Sequence, residues 1–340
     1  MSTDTRELSA PTKSRTKSVI KIGTAVAAPG EKMTGVLPLA ARTDGSTYDT
    51  PVTIVNGSAE GPNLWVHGAI HGDEYDGSRA IADLVRELDP RDVHGALIAI
   101  PVLNIGAFQA RQRTNPLDSK DLNRIFPGNP AGTVTDQIAH ALMTLILDNA
   151  DYLVDLHGGG NEALMSFHAV FYDDAQLEAS RTSERMARAI GAPVIQRSFG
   201  VAFLEGSLWY QLTRQGIPTV LFEAGGTGGP QDEYIALHRE GLRRLMHLFE
   251  MIPGSVAVDE KCHVLNRHRF IASTKGGFFR AEVKPGTHVR PGDVLGRVVD
   301  LFGTELEVVR APAAGIALGM RTYATCHAGS MVVNFSEFDQ

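Results

Sequence analysis

The sequence predicts an α/β fold in which helices flank a mainly parallel, twisted sheet, together with a small C-terminal all-β domain. Between Asn63 and about residue 250, short apolar runs alternate with segments of helical periodicity. Strands that alternate with helices form largely parallel sheets, because each helix carries the chain back to the start of the next strand. From about His263 onward, short strand-like runs are separated by frequent glycines and prolines, which is typical of a small barrel or sandwich.

Composition limits the classes of protein to which this chain can belong. It has 340 residues, of which 43% are hydrophobic and 21% charged, as in ordinary globular proteins. The formal net charge of −7 argues against a general affinity for nucleic acids or anionic membranes, since both call for a basic surface. No apolar run approaches the roughly 20 residues needed to span a bilayer. We therefore expect no nucleic-acid partner and no membrane partner.

The N-terminal composition and the cysteines predict a cytoplasmic protein. The first 21 residues are polar, with scattered Lys and Arg, and lack the apolar segment of a secretory signal. Two cysteines, Cys262 and Cys326, cannot form a disulfide framework, and their spacing matches no zinc motif. Both are expected to be buried in a protein of the reducing cytoplasm.

Changes in composition divide the chain into three parts. Residues 1–17 are rich in Ser, Thr and Lys, which predicts a flexible arm. Residues 18–258 are predicted to form the α/β domain, which opens with hairpins over 18–56 because turn signals separate its strand-like runs there. Helical patterns stop near Pro253, so residues 259–340 are predicted to be the all-β domain.

Each element of the α/β domain follows from local periodicity or from an apolar run between turn signals. The helix over 134–149, for example, places Ile138, Leu142, Leu145 and Ile146 on one face. In open α/β sheets, sites form beyond the carboxyl ends of the strands, and the polar clusters of this chain fall at such ends. The predicted order is strand 64–66, helix 78–88, strand 96–102, a long loop over 104–133, helix 134–149, strands 152–156 and 169–172, helix 175–190, strand 219–222 and helix 231–250.

A candidate metal site begins in the turn between the first of these strands and its helix. His71 and Glu74 lie there at positions i and i+3, so a tight turn projects both side chains to the same side. An imidazole and a carboxylate supply two of the three protein ligands that a catalytic zinc usually takes. His157 follows strand 152–156 at the same predicted sheet edge and is the candidate third ligand. A histidine at a strand end is by itself more often structural, but the upstream pair favours a metal site.

Glu223 is a candidate general base. It ends the apolar strand 219–222 and enters a glycine-rich turn, where a zinc hydrolase would hold a carboxylate beside the metal. Burial would raise its pKa, and the charge of a metal would oppose that change. A glutamate at the end of a strand also commonly caps the next loop, so this pattern alone leaves both interpretations open.

The loop over 111–124 concentrates arginines between two regular elements. Arginine offers a planar fork that suits the binding of a carboxylate and the stabilisation of the oxyanion in a tetrahedral intermediate. Lys120 is expected to be solvated. Asn123 and Arg124 directly precede an apolar segment, so a fixed orientation is expected for both.

Other catalytic classes find no support in the sequence. Gly-x-Ser-x-Gly, Gly-x-Gly-x-x-Gly and Gly-Lys-Ser/Thr are absent, which argues against a serine nucleophile and against nucleotide binding. Among the remaining histidines, His67 is the candidate for an outer layer around the metal ligands. The others are expected to be structural.

Four motifs in this order resemble the succinylglutamate desuccinylase/aspartoacylase family, a branch of the zinc carboxypeptidase superfamily. The resemblance covers roughly residues 50–335 and implies a zinc-carboxypeptidase-like fold with one zinc ion per chain. The motifs are His71-Gly72-Asp73-Glu74, Asp121-Leu122-Asn123-Arg124, Asp155-Leu156-His157 and Phe222-Glu223-Ala224-Gly225.

The resemblance also implies a role for each site residue. The oxyanion arginine of the family lies shortly before the Asp-Leu-Asn-Arg motif, and Arg113 is the choice here over Arg111. The other implied residues are His71, Glu74 and His157 as zinc ligands, Glu223 as the base that activates the metal-bound water, and Asn123 with Arg124 as the groups that bind the carboxylate of the substrate.

The C-terminal residues are similar to a biotinyl/lipoyl-like barrel-sandwich. In a carrier domain, the bend between the two halves would present a lysine for modification. The corresponding stretch here, residues 304–309, contains no lysine. A structural or pocket-shaping role is therefore expected.

Together these expectations describe a zinc-dependent amide hydrolase that removes a short acyl group from an N-acyl amino acid or a related small amide. The chain looks most like the N-acetyl-diaminobutyrate deacetylase subgroup, and a homo-oligomer is expected. Two alternatives are a metallocarboxypeptidase, which would need an open cleft for a peptide, and a non-catalytic zinc-binding protein, which would not need Glu223 beside the metal.

Overall fold

A computed structural model describes residues 15–200, 202–256 and 262–338. Most of the predicted arm over 1–17, and the predicted domain boundary at 258–259, therefore lie outside the described residues. The start of the described chain is held against the α/β domain. The Arg15 guanidinium pairs with Asp151 (Nε to Oδ2, 2.9 Å), and the Lys17 ammonium donates to Asn56 Oδ1 (2.8 Å).

The described residues form strands and helices in an order that alternates through the middle of the chain. The strands are β1 (Ile20–Ile22), β2 (Ala25–Ala27), β3 (Glu31–Ala41), β4 (Thr47–Asn56), β5 (Ala59–Gly68), β6 (His94–Ile100), β7 (Tyr152–His157), β8 (Ala163–Tyr172), β9 (Val194–Ser198), β10 (Thr219–Gly226), β11 (His263–Leu265), β12 (Arg267–Ala272), β13 (Gly277–Ala281), β14 (Thr287–Val289), β15 (Val294–Val299), β16 (Glu305–Arg310), β17 (Gly315–Arg321), β18 (Thr325–Cys326) and β19 (Met331–Glu337). The α-helices are α1 (Asp76–Glu87), α2 (Ile105–Ala110), α3 (Val134–Asn149), α4 (Glu178–Ala189), α5 (Leu208–Arg214) and α6 (Asp232–Leu248), and short 3₁₀ turns cover Pro90–Asp92, Leu122–Arg124 and Ala202–Leu204.

The centre of the main sheet is parallel. Strands β6, β5, β7 and β10 lie side by side in that order, and each pair is parallel. Antiparallel strands extend the sheet through β4 and β3 on one side and through β8, β17, β19 and β12 on the other. The predicted α/β class is confirmed, and the parallel strands form the middle of a wider mixed sheet.

Helices cover both faces of the parallel strands. Along β5, Leu64 and Val66 enter one apolar core and Trp65 enters the other, because successive side chains of a strand point to opposite faces. Helices α1, α4 and α6 contribute to the first core, and α3 and α5 to the second. In α3 the predicted apolar face is confirmed, with Ile138 and Ile146 buried. In the described part of the chain, no helix combines the length and the apolarity needed to cross a lipid bilayer.

Residues near the C-terminus form two antiparallel groups of strands. Strands β12, β14, β17 and β19 belong to the main sheet, which β17 joins by pairing with β8. A separate four-stranded sheet is formed by β16, β15, β13 and β18. Leu295 and Val298 of this sheet share an apolar core with Phe335 of β19. Cys326 is buried, as predicted, whereas Cys262 keeps part of its surface accessible because it precedes β11 at the edge of the fold.

Candidate metal centre

The turn after β5 carries two of the predicted metal ligands. Strand β5 ends at Gly68 and helix α1 begins at Asp76, and His71 and Glu74 lie between these points. Both side chains are buried. The turn therefore delivers an imidazole and a carboxylate to the carboxyl edge of the parallel strands, as the motif predicts.

A glycine allows this turn to pack closely against α2. A Cβ atom at Gly72 would lie 2.0 Å from the backbone carbonyl carbon of Ala107, a separation that no side chain tolerates. The turn is also tied to the chain before α2, because Leu103 N donates to Gly68 O (2.9 Å). The close approach fixes the residue next to His71 and so limits where His71 can point.

His157 supplies the third predicted ligand. It is the last residue of β7, which pairs in parallel with β5, so it emerges at the same sheet edge. The Glu74 carboxylate lies between the two imidazoles, with Oε1 2.7 Å from His71 Nδ1 and Oε2 2.9 Å from His157 Nδ1. Candidate ligand atoms of the three residues all lie within 4.8 Å of one another. The fold thus brings the three predicted ligands together.

The donor set and its surroundings fit a zinc ion. Two imidazoles and one carboxylate are a common ligand set of catalytic zinc. Nδ1 of each histidine faces Glu74, and Nε2 of each faces another carboxylate. His71 Nε2 lies 3.2 Å from Asp121 Oδ1, and His157 Nε2 lies 3.1 Å from Asp155 Oδ1. A carboxylate that accepts a hydrogen bond from Nε2 favours the tautomer in which Nδ1 keeps its lone pair for a metal.

The ligands lie in an environment that stabilises positive charge. Burial disfavours the charged form of Glu74, but His71 and His157 outweigh burial and hold the pKa of this carboxyl well below its ordinary value. Burial also disfavours the charged form of His157, but Asp155 and Glu74 raise the pKa of this imidazole well above its ordinary value. The same carboxylates would favour a metal cation bound between these side chains.

His67 lies behind the ligands, in the outer layer that the sequence predicts for it. Its side chain is fully buried, and its Nε2 lies 2.8 Å from Asp155 Oδ1. The same carboxylate oxygen faces His157, so one oxygen atom stands between two imidazoles.

Glu223 is the neighbour of His157 across the parallel pairing of β7 and β10. The pairing of β10 with β8 is irregular just after Glu223, and Gly225 and Gly226 adopt positive φ values of 83° and 133°. Burial raises the pKa of Glu223 to about 8, with His157 opposing this change and Glu74 adding to it. The side chain keeps part of its surface accessible. A carboxyl with this pKa can accept and return a proton near neutral pH.

Arg113 reaches the His71 side of the centre. Its Nε and Nη2 each lie 2.9 Å from Asp121 Oδ2, while its Nη1 lies 3.3 Å from His71 Nδ1 and 3.8 Å from Glu74 Oε1. Arg111 has a left-handed backbone conformation, with a φ of 54°, and its side chain is exposed like that of Arg113. Of the two arginines considered for the oxyanion, Arg113 is the one whose described contacts include the metal ligands.

Asn123 and Arg124 lie in the 3₁₀ turn on the other side of Asp121. Asn123 is buried, with its Oδ1 accepting from Leu208 N (2.9 Å) and its Nδ2 3.4 Å from His157 Nε2. Arg124 is half-buried, and its Nη1 donates to Asn123 O (2.7 Å). Burial lowers the pKa of Arg124, and Asp121 opposes this change. The predicted substrate-binding residues therefore lie beside the predicted ligands.

Asp121 is a site residue to which the sequence assigns no role. Burial disfavours its charged form, but His71 and Arg113 outweigh burial and hold the pKa of this carboxyl below its ordinary range. The available signals are an acidic residue within an arginine-rich loop and the first position of the Asp-Leu-Asn-Arg motif. Asp118 carries the first signal but not the second, and it accepts hydrogen bonds from Thr133 and Thr135.

Comparisons with known proteins agree with this geometry. Residues 60–249 match the model of the succinylglutamate desuccinylase/aspartoacylase catalytic domain. The N-alpha-acetyl-L-2,4-diaminobutyric acid deacetylase of Halomonas elongata is 31% identical over 314 residues, which cover 89% of this chain and 91% of that protein.

Solved structures show the same similarity. The product-bound ectoine utilization protein EutE (DoeB) from Ruegeria pomeroyi superposes with a TM-score of 0.82 at 28% identity and covers 96% of this chain and 98% of its own. A succinylglutamate desuccinylase from a Silicibacter species gives a TM-score of 0.81 at 28% identity, over 94% of this chain and 100% of its own. Since the family model spans more than half of the residues, the chain belongs to the succinylglutamate desuccinylase/aspartoacylase family.

Proposed function

We propose that this protein is a zinc-dependent deacylase that hydrolyses the amide bond of a small N-acyl amino acid. The main support is the buried cluster of His71, Glu74 and His157 with Glu223 beside it on the next strand. Catalytic zinc takes three protein ligands, as in this cluster, whereas structural zinc takes four. A site that only bound zinc would have no use for a further carboxyl beside the three ligands.

Glu223 is the proposed general base and general acid. Bound zinc would supply a Lewis acid that polarises the amide carbonyl and makes water more acidic. Glu223 takes a proton from the attacking water and delivers it to the nitrogen of the leaving amine. The amide C–N bond then breaks, and the products are a carboxylate and an amine. The pairing of Glu223 with His157, a proposed zinc ligand, supports this role, because a carbonyl polarised by the metal would lie near the proton acceptor.

Arg113 is the proposed stabiliser of the oxyanion. Its Nη1 points towards His71 and Glu74, while the other two guanidinium nitrogens are held by Asp121. When water adds to the amide carbonyl, negative charge develops on the carbonyl oxygen. A fixed cationic donor lowers the energy of that charged state more than that of the neutral amide, so it accelerates the reaction.

Asn123 and Arg124 are the proposed binding groups for the carboxylate of the substrate. Arg124 is cationic and half-buried beside the centre, and the amide of Asn123 is fixed at its oxygen by Leu208 N (2.9 Å). A carboxylate held by these residues would orient the neighbouring amide for attack.

The names of the relatives indicate which substrates to test first. The Halomonas relative, which aligns with 89% of this chain, is named for deacetylation of N-alpha-acetyl-L-2,4-diaminobutyric acid. We propose the same compound as the first substrate for this protein. N-succinyl amino acids come second, because a similar structure is a succinylglutamate desuccinylase.

The test measures amine release from N-acetyl, N-succinyl and N-formyl amino acids, including N-acetyl-diaminobutyrate, with zinc-loaded and chelated protein. We expect release from one acyl class that stops on chelation and returns with zinc. N-acetyl-1,3-diaminopropane is a matched control, since it keeps the amide and lacks the carboxylate, and it should react far more slowly. If no panel compound is cleaved while zinc is bound stoichiometrically, the proposed deacylase function is wrong.

A further inference from the structure

We propose that His238 is a positioning residue that holds the end of β10 and so keeps the Glu223 carboxyl in place beside the candidate metal centre. This role rests on the proposed function, which assigns the general base to Glu223. The evidence is that one buried imidazole contacts the residues on both sides of Glu223 in the chain. His238 stacks on Phe222, and its Nε2 lies 3.2 Å from Ala224 O.

The sheet leaves the residue after Glu223 without a paired residue. In the described strands, the pairing of β10 with β7 ends at Glu223, and its pairing with β8 passes from Glu223 directly to Gly225. Ala224 therefore lies in a bulge, where the ladder of hydrogen bonds is locally disrupted. A bond from His238 to Ala224 O fixes the backbone at the point where the sheet does not.

Helix α6 places the imidazole against the strand. A Cβ atom at Gly241 would lie 2.6 Å from Phe222 Cε2, so the helix approaches β10 closely at this glycine. His238 lies three residues earlier, on the same side of the helix, and its side chain is fully buried. The ring planes of His238 and Phe222 meet at 10°, with centroids 6.5 Å apart. The ring is therefore held in one orientation, with Nε2 towards Ala224.

The hydrogen bond comes from a neutral ring. Burial lowers the pKa of His238 to about 4, so the imidazole carries one N–H near neutral pH. Since a carbonyl oxygen only accepts, this hydrogen is on Nε2. In the described part of the chain, no group hydrogen-bonds to the buried Nδ1. A buried nitrogen without a partner costs stability, which an apolar side chain would avoid. The bond to Ala224 therefore explains an imidazole at this position better than packing alone does.

Two substitutions separate this hydrogen bond from packing. His238→Phe keeps an aromatic ring against Phe222 but has no donor for Ala224 O. His238→Gln keeps an amide N–H that can donate to this oxygen, and gives up the ring stacking. His247 lies on the same helix and packs against Gly254, so His247→Phe is the matched control.

The experiment measures kcat and KM by amine release, and zinc affinity by competition with a chromophoric chelator. For His238→Phe we expect kcat to fall by roughly 10- to 100-fold with little change in KM, since misplacement of a group by about 1 Å can cost about 100-fold. Zinc affinity should not change, because the three proposed ligands lie in the turn after β5 and in β7. His238→Gln should keep most of the wild-type kcat, and His247→Phe should match the wild type.

A purely structural role for His238 predicts a different result. It predicts that His238→Phe lowers the urea midpoint and leaves the kcat of the folded protein unchanged, and this outcome would contradict the proposal. We expect a lower kcat with little change in the midpoint, because removal of the unpaired Nδ1 offsets the loss of a donor to Ala224 O. If His238→Phe does not fold, His238→Leu removes the same donor with a smaller side chain.

A double-mutant cycle tests whether His238 acts through Glu223. If it does, His238→Phe combined with Glu223→Gln has the kcat of Glu223→Gln alone, because no base remains to be positioned. A further loss of kcat in the double variant would rule out this coupling.

Amide hydrogen exchange separates this proposal from the proposed function. If the wild type binds zinc but cleaves no compound of the panel, the deacylase function fails and no kcat can be compared. Exchange at the amides of residues 224–226 should then still be faster in His238→Phe than in the wild type, because the strand end has lost a hydrogen bond. Equal exchange in the two proteins would overturn the role of His238.

Discussion

His157 and Glu223 face each other across two adjacent parallel strands, β7 and β10. The proposed metal ligand and the proposed base are therefore placed by strand register, which is more rigid than a loop. A shift of β10 by one residue would turn Glu223 to the other face of the sheet, because side chains alternate along a strand. Because His157 is held by β7 and Glu223 by β10, we expect that a substitution of Glu223 can remove its function without displacing the metal ligand His157.

Glu223→Gln should abolish turnover and leave zinc binding intact. Glutamine keeps the size of the side chain but cannot take a proton from water. We expect kcat to fall by at least about 100-fold, within the range attributed to general acid–base catalysis. Amine release and zinc content by mass spectrometry of the same samples test this. Glu178→Gln, on the exposed surface of α4, is the control, and near-normal turnover in Glu223→Gln would rule out the assignment of the base.

The same substitution should stabilise the zinc-free protein, increasingly so as the pH rises. Burial raises the pKa of Glu223 from its ordinary 4.5 to about 8. As the pH rises, the unfolded protein therefore loses this proton at a lower pH than the folded protein does. The wild type therefore loses stability between these two pH values, and Glu223→Gln does not. The difference should grow by at most about 1.4 kcal/mol per pH unit.

Urea unfolding of chelated wild type and Glu223→Gln, at about pH 5 and about pH 8, measures this difference. The two proteins should be similar at the lower pH and differ at the higher one. The true slope is shallower than the maximum, since Glu223 keeps part of its surface accessible to water. A stability difference that narrows with rising pH would contradict the burial of an acid at this position.

Gly72→Ala should disturb both folding and zinc binding. The added Cβ would lie 2.0 Å from the Ala107 carbonyl carbon, so the turn that carries His71 would have to move away from α2. We expect a loss of about 1–3 kcal/mol in the free energy of unfolding, as for other overpacked sites, and weaker zinc binding. Gly229→Ala is the control, because a Cβ there meets no atom within 4 Å. Wild-type zinc affinity in Gly72→Ala would show that the close approach is not needed.

Elements with a local signal could be predicted from the sequence, and elements with distant partners could not. Helix α3 has an apolar face at helical spacing, and β7 is a mostly apolar run, interrupted by Asp155, that ends at His157. The sequence predicts β8 only over 169–172, but the strand starts at Ala163. Its first part pairs with β17, which follows in the chain more than 140 residues later, and no local pattern reports such a partner.

The candidate site divides in the same way. His71 and Glu74 are three residues apart, so their convergence could be predicted from the motif alone. The anchoring of Arg113 could not, because it depends on which acidic residue of the loop turns inward. The Asp-Leu-Asn-Arg motif marks Asp121 and not Asp118, but only the folded loop shows that Asp121 contacts Arg113 and His71, which is 50 residues away along the chain.

Two buried histidines should make the protein sensitive to acid. Burial lowers the pKa of His168 and of His238 from the ordinary 6.5 to about 4. A hydrogen bond to a backbone carbonyl opposes this change in each ring without outweighing burial, from His168 Nδ1 to Ser166 O (2.8 Å) and from His238 Nε2 to Ala224 O (3.2 Å). As the pH falls below the ordinary value, the unfolded state binds protons that the folded state refuses. Their contribution to stability is therefore complete above about pH 6.5 and is lost progressively down to about pH 4.

Urea unfolding across this pH range should show stability falling by up to about 1.4 kcal/mol per pH unit for each histidine. His238→Gln removes one titrating group, so the stability of this variant should fall less steeply with decreasing pH than that of the wild type. If the substitution weakens the contact with Ala224, the variant is less stable than the wild type at neutral pH. Adding His168→Gln should flatten the dependence further. Equal slopes in the wild type and the double variant would mean that neither imidazole is kept neutral by burial, and that acid sensitivity comes from the carboxylates of the metal centre instead.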